Sequence, residues 1–235
     1  MMGRVPALAC TAAALLAAAA AQAQTGFPFQ DESLHYSINW PSGLSLGEAT
    51  FSAAHSGNSW TFEASIDAGV PGFAIADRIR STAGADLCSL DLLRELAHGP
   101  RKSREKTVFD QAHGTARRTT VEPAGGGSTD LDIPACARDA LTFVYFVRRE
   151  LGQGRVPPPE RVFFGGGYSA RLEYTGPVTL EPRGKPAVTD RVAVSVKGAQ
   201  ANVSFEVFFA RDAARTPLSL KVPFPVGTIS MDLVR

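Results

Sequence analysis

The sequence is poor in the residue types from which metal centres and redox sites are built, with three cysteines, four histidines and three methionines in 235 residues. The histidines, at 35, 55, 98 and 113, stand far apart, and neither Cys88 nor Cys136 has a His or second Cys at ligand spacing, so no metal is expected. Charge of one sign is also missing. Lys and Arg number 24 against 23 Asp and Glu, so nothing draws the chain onto nucleic acid phosphates or anionic lipid. The H-E-x-x-H, G-x-S-x-G, Walker and dinucleotide-binding patterns are absent as well. Gly165-Gly166-Gly167 leads into a strand, whereas phosphate loops deliver the anion to a helix N-terminus, so a bulge or sharp bend is expected there. No catalytic residue and no cofactor are expected on these grounds. A triad is defined in space and not in sequence, so a hydrolase without a recognisable motif stays as an alternative.

Long hydrophobic runs are confined to one place. Arg4 is the only early charge, and Val5 to Ala21 follows without another, almost entirely in Ala, Leu and Val. Ala21-Gln22-Ala23 then puts small residues where a signal peptidase needs them, which predicts a signal peptide over 1–23 and a single β domain over 24–235. A membrane anchor is the competing reading, but the run is short, rich in alanine and ends in the cleavage pattern. Cys10 falls within this segment. Cleavage removes Arg4, leaves basic and acidic residues equal in number, and leaves no transmembrane segment. The expected location is the periplasm or the exterior of a bacterial cell.

Cys88 and Cys136 then remain as an even pair in an oxidising compartment, most simply read as a disulfide, with two buried thiols as the alternative. In the chain-entropy model a bridge closing a loop of this length stabilises by roughly 4 kcal/mol.

What the sequence has in abundance is alternation. Leu34, Tyr36, Ile38 and Trp40 fall on one face of a strand, and Ser33, His35, Ser37 and Asn39 on the other. Pro41-Ser42-Gly43 breaks it, a second strand carries Ala49, Phe51 and Ala53, and Trp60, Phe62, Ala64 and Ile66 mark a third, giving a meander. Between Phe73 and Thr82, Asp77 falls on the same face as Phe73, Ile75 and Ile79. A carboxylate there needs a partner. A bulge or a salt bridge to an Arg would explain it, and a polar group inside a cavity is the sharper reading. Residues 86 to 121 are more polar and read as two exposed strands turning near His113-Gly114, with 124–128 as a flexible loop.

The period changes between Ala137 and Leu151, where Leu141, Val144, Tyr145, Arg148 and Leu151 recur at helical spacing. Asp139 is placed to cap this helix and Gly152 to close it. Strands resume after Pro157-Pro158-Pro159, with alternation at 168–174, 192–196, 203–209, 218–222 and 229–233 and a turn at Asp212 to Arg215. About ten or eleven strands and one helix result, with no internal repeat. The predicted fold is mainly β: a large curved antiparallel sheet or open β-barrel with one α-helix at about 138–151. Uneven strands and charged central segments argue against an outer-membrane barrel.

Several segments together resemble a family of bacterial exported proteins catalogued as domain of unknown function 3108 (DUF 3108). They are Glu32-Ser-Leu-His-Tyr-Ser-Ile-Asn-Trp40 with Gly47, and Asp77 to Ser81; Arg138 to Arg148 with Gly154; and Phe208-Phe-Ala-Arg-Asp212 with Pro217 and the closing Pro225 to Leu233. The resemblance spans nearly the whole mature chain. It implies a periplasmic or surface β protein and supplies no catalytic residues, but it draws attention to Asp77, Arg148 and Asp212 as candidate ligand-binding positions. Each also has a structural explanation as a turn, cap or salt bridge.

The function expected from these features is a non-catalytic envelope module whose concave sheet holds an apolar or amphipathic ligand, such as a lipid or envelope polymer. An assembly factor acting through an envelope protein partner is the alternative. No nucleic acid partner is expected.

Overall fold

The structure is a computed structural model that describes residues 30–234, apart from 71, 182, 183, 200 and 226. The expected signal peptide and its cleavage site lie outside the described residues.

All the strands belong to one sheet. The first half runs β1 (Glu32–Asn39), β2 (Ser45–Ser56), β3 (Ser59–Val70), β4 (Phe73–Gly84), β5 (Ser89–His98), β6 (Arg101–Asp110), β7 (Thr115–Glu122) and β8 (Ser128–Asp132). The second half runs β9 (Arg138–Asp139), α1 (Ala140–Gly152), β10 (Glu160–Phe163), β11 (Gly167–Leu180), β12 (Ala187–Gly198), β13 (Ala201–Ala210), β14 (Pro217–Phe224) and β15 (Gly227–Leu233). In space the order is β8 through β1, then β15 back through β9, so β1 and β15 pair at the centre and β8 and β9 form the edges.

That order dictates the curvature. Laid flat, fifteen strands about 4.8 Å apart would separate the edges by on the order of 65 Å. Residues 133–137 join β8 directly to β9, and so short a link spans no more than about 20 Å. The sheet must therefore curl until its edges nearly meet, giving an open barrel with a seam. Side chains cross that seam: Arg161 donates to the Asp132 carbonyl at 3.0 Å, and Arg118 donates to the Gly165 carbonyl. The Ser89 amide donates to the Ala137 carbonyl at 3.0 Å, and a Cys88–Cys136 disulfide lies beside it, with Cα atoms 4.7 Å apart.

The alternation read from the sequence reappears as rows of inward side chains. Val192, Val207, Leu220, Met231 and Ile38 stand opposite one another across five consecutive strands, and the row continues to Gly47 and Ala68. Helix α1 plugs the barrel at the end carrying the β13–β14 turn. Phe62 on β3 stacks on Tyr145 of the helix with ring centroids 4.1 Å apart, and Trp60 stacks on Phe62 at 5.9 Å. A second cluster of Leu92, Phe109, Ala116, Ile133, Ala137 and Phe163 fills the lobe under β5 to β10.

The helix begins later than expected, because Arg138 and Asp139 pair in parallel with Val162 and Phe163 and are held extended as β9. Asp139 (φ −75°, ψ 169°) keeps its role as cap from that extended position. Gly152 remains helical, Gln153 caps the C-terminus, and Gly154 (φ +75°) takes the left-handed turn. The polar middle holds three strands instead of two, since Gly99 (φ +58°) turns β5 into β6. The expected loop at 124–128 is a short link into β8, which brings the strands to fifteen.

Candidate ligand-binding cavity

From Leu141 to Val147 only Thr142 and Tyr145 carry a polar side-chain group, so the first two turns of the helix have no face suited to water. The helix gathers its charged residues Arg148, Arg149 and Glu150 in the last turns. Its entry is fixed by Asp139, whose side chain is fully buried. Asp139 Oδ1 accepts from the amides of Leu141 (2.8 Å) and Thr142 (3.1 Å), and Oδ2 from the hydroxyls of Ser81 (2.6 Å), Ser89 (2.5 Å) and Thr142 (2.9 Å). Burial pushes this carboxyl up, against hydrogen bonds that favour its charged form. Strands β4 and β5, which supply the two serines, thereby hold the helix N-terminus in place.

The other end of the helix is held by Arg148, which is 1% exposed. Its guanidinium pairs with both carboxylate oxygens of Glu32 at the start of β1, and its Nε donates to the Ala214 carbonyl at 3.1 Å. Tyr36 lies close by, and burial pushes its hydroxyl upward in pKa, with the Arg148 charge opposing.

Between this helix and the concave face of β10 to β15, β1 and β2 lies a cavity of about 390 Å³. Its walls are almost wholly apolar, with Phe143, Val147, Phe205, Val207, Leu220 and Met231 prominent. Three of the polar side chains that reach the walls, Tyr36, Ser219 and Arg148, are bonded to other protein groups. Tyr36 Oη donates to the Pro217 carbonyl at 2.8 Å, and Ser219 Oγ donates to Asp232 at 2.7 Å. Half-buried Phe164, Tyr168, Val196 and Ala201 place the mouth beside the β10–β11 and β12–β13 turns. Val144 is the telling residue: it sits mid-helix inside the barrel, yet is 39% exposed because it faces this space.

The three candidate positions fall in different places. Arg148 forms part of the cavity wall. Asp212 is in the β13–β14 turn, where it accepts from the Thr216 amide (3.0 Å) and hydroxyl (2.7 Å) and shapes the loop that offers the Ala214 carbonyl to Arg148. Asp77 is separate, on β4 toward the mouth, where it faces inward with 14% of its side chain exposed and meets His98 Nε2 at 2.9 Å. Its contact is thus a histidine, not an arginine, and no bulge interrupts β4 at that point.

Phe143 and Val147 lie outside the expected helical stripe, although the nearly unbroken apolar run from Leu141 to Val147 signalled that more than one side of this helix faces the interior. Phe164 carried no signal, because it sits in a bend between strands. Among the described residues, the group of acidic and sulfur side chains closest to a metal-ligand arrangement is Asp86 with Cys88 and Cys136, whose two thiols are already joined. No helix among the described residues is long and apolar enough to cross a membrane.

No curated protein matches the chain. Among solved structures, it is similar to a β-barrel-like protein of domain of unknown function DUF1849 from Brucella abortus, with a TM-score of 0.62 at 8% identity, over 88% of this chain and 97% of that one. At that identity the likeness concerns the fold. The sequence itself matches a family model over residues 35–234, nearly all of the sheet, and the chain belongs to the family described as Protein of unknown function (DUF3108).

Proposed function

We propose that this chain is an exported envelope protein that binds an apolar or amphipathic ligand in the cavity between α1 and the concave sheet, without catalysing a reaction on it. The exposure of Val144 inside the barrel carries this reading, because an apolar side chain facing an apolar void is a contact surface still to be covered. The volume lies in the range of about 300–1,000 Å³ typical of small-molecule sites. The commitment of Tyr36 and Ser219 to other protein oxygens leaves them poorly suited to act as nucleophiles or bases, which favours binding over catalysis. The signal-like segment and the disulfide are compatible with export.

Native mass spectrometry of gently purified protein is expected to show a co-purifying apolar molecule. Val144→Trp, which projects a large ring into the cavity, is expected to lose it while leaving thermal stability within a few degrees. A wild-type protein that carries nothing and takes up no added long-chain amphiphile would sink the reading.

A further inference from the structure

The interior near the mouth is not uniform. Opposite the apolar wall, β4 to β7 turn ionisable side chains inward, with the register setting Ile79 opposite Arg94, Arg94 opposite Glu105, and Thr107 opposite Arg118. The Arg94 guanidinium lies 4.0 Å over the ring of Phe164, itself a cavity wall, and its Nη1 is 3.6 Å from Glu105 Oε2. Arg118 reaches the same place from β7 and donates to the Gly165 carbonyl. Gly165 is specifically suited to this crowding. Its φ is +77°, and a Cβ there would overlap the Arg94 guanidinium and press on Glu105.

Arg94 thus pairs with Glu105, whereas Arg118 is held by the Gly165 carbonyl and by Thr129 Oγ1 at 3.4 Å, and makes no ion pair with a carboxylate among the described residues. Asp77, the next acid on this face, is engaged by His98. Arg94 Nε and Glu105 Oε2 are buried and make no hydrogen bond within the described residues. A buried donor without an acceptor is costly, and a ligand oxygen that supplied the acceptor would relieve that cost. Burial lowers the Arg94 pKa, the Arg118 charge adding to it and Glu105 opposing. An arriving anion would be stabilised by the same pair of cations.

We propose that Arg94 and Arg118 receive the anionic head group of a single-chain amphiphile whose tail lies in the apolar cavity. This rests on the cavity reading above and specifies the sign and position of the head group. Planar guanidinium forks suit the oxygens of a carboxylate or a phosphate, and stacking on Phe164 holds the Arg94 fork at the boundary between the polar and apolar walls.

The test compares four sixteen-carbon ligands by calorimetry on the purified protein: palmitate, hexadecyl phosphate, hexadecanol and hexadecyltrimethylammonium. At least one anion is expected to bind roughly tenfold more tightly than hexadecanol, the loss of one charge-assisted contact being of that order. The cationic ligand is expected to bind most weakly, and the preferred anion tells carboxylate from phosphate. Arg94→Gln and Arg118→Gln should each remove most of the anion preference and leave hexadecanol affinity unchanged. Equal binding of anions and hexadecanol by the wild type would overturn the head-group assignment and leave the cavity reading standing, and this comparison needs no variant to fold. Failure of all four ligands to bind would remove both.

Discussion

Asp139 concentrates more of the fold than any other single side chain described. It ends β9, caps α1 and gathers hydroxyls from β4 and β5, all from a fully buried position. Replacing it with alanine strands several buried donors at once, each worth about 1–3 kcal/mol when left without a partner. Asp139→Ala is therefore expected to lower the unfolding free energy by roughly 3 kcal/mol or more in urea titrations. Asp212→Ala, which removes an exposed turn bond, should cost about 1 kcal/mol or less. Equal losses would contradict the hub role. The capping role of Asp139 was legible from its place before a helical stripe. Ser81 and Ser89 were not, since a serine on a strand carries no sign of the partner it meets 50 or more residues later. Arg148 was legible as a helical position, but its pairing with Glu32 across 116 residues of sequence was not.

At the scale of elements, alternation located the strands whose inner face is apolar and failed where it is not. β8 is exposed along nearly its whole length, so there was no buried face to produce a pattern. β5 to β7 carry arginine, glutamate and threonine inward near the mouth, which disguised them as a solvated region. Backbone proximity was equally invisible. Gly47 on β2 has φ +149°, and a Cβ there would overlap the Asp67 carbonyl oxygen of β3. That carbonyl belongs to a paired strand and cannot give way without breaking register. Gly47→Ala is accordingly expected to destabilise by roughly 2 kcal/mol, read as a fall in the thermal midpoint of several degrees. An alanine variant as stable as the wild type would show that β2 and β3 slide past each other freely.

The molecule as a whole is a sheet rolled until its edges face each other, with a helix as its plug and a disulfide beside the seam. Curvature was expected from the number of strands, but the seam was not, because only the observed strand order shows that 133–137 bridges opposite edges. The bridge from Cys88 to Cys136 ties β5 to the segment entering β9, and so holds the roll as well as shortening the unfolded chain. The double variant Cys88→Ala with Cys136→Ala is expected to lose roughly 4 kcal/mol against guanidinium, the wild type approaching the same midpoint under reductant. A loss below about 1 kcal/mol would mean that the hydrogen bonds across the seam suffice alone.

The central pairing of β1 with β15 has a consequence for assembly in time. Strands β1 to β8 are joined by short turns and can zip together in sequence as they emerge, each pairing closing only a small loop. The second edge of β1 has no partner until β15 arrives, the last strand of the sheet. Helix α1 follows β8 and can settle on β3 and β4 early, but throughout that interval the first half still presents an open strand edge, a feature that readily recruits a wrong partner. The waiting time between the two halves is thus the period in which this protein is most exposed to misassembly.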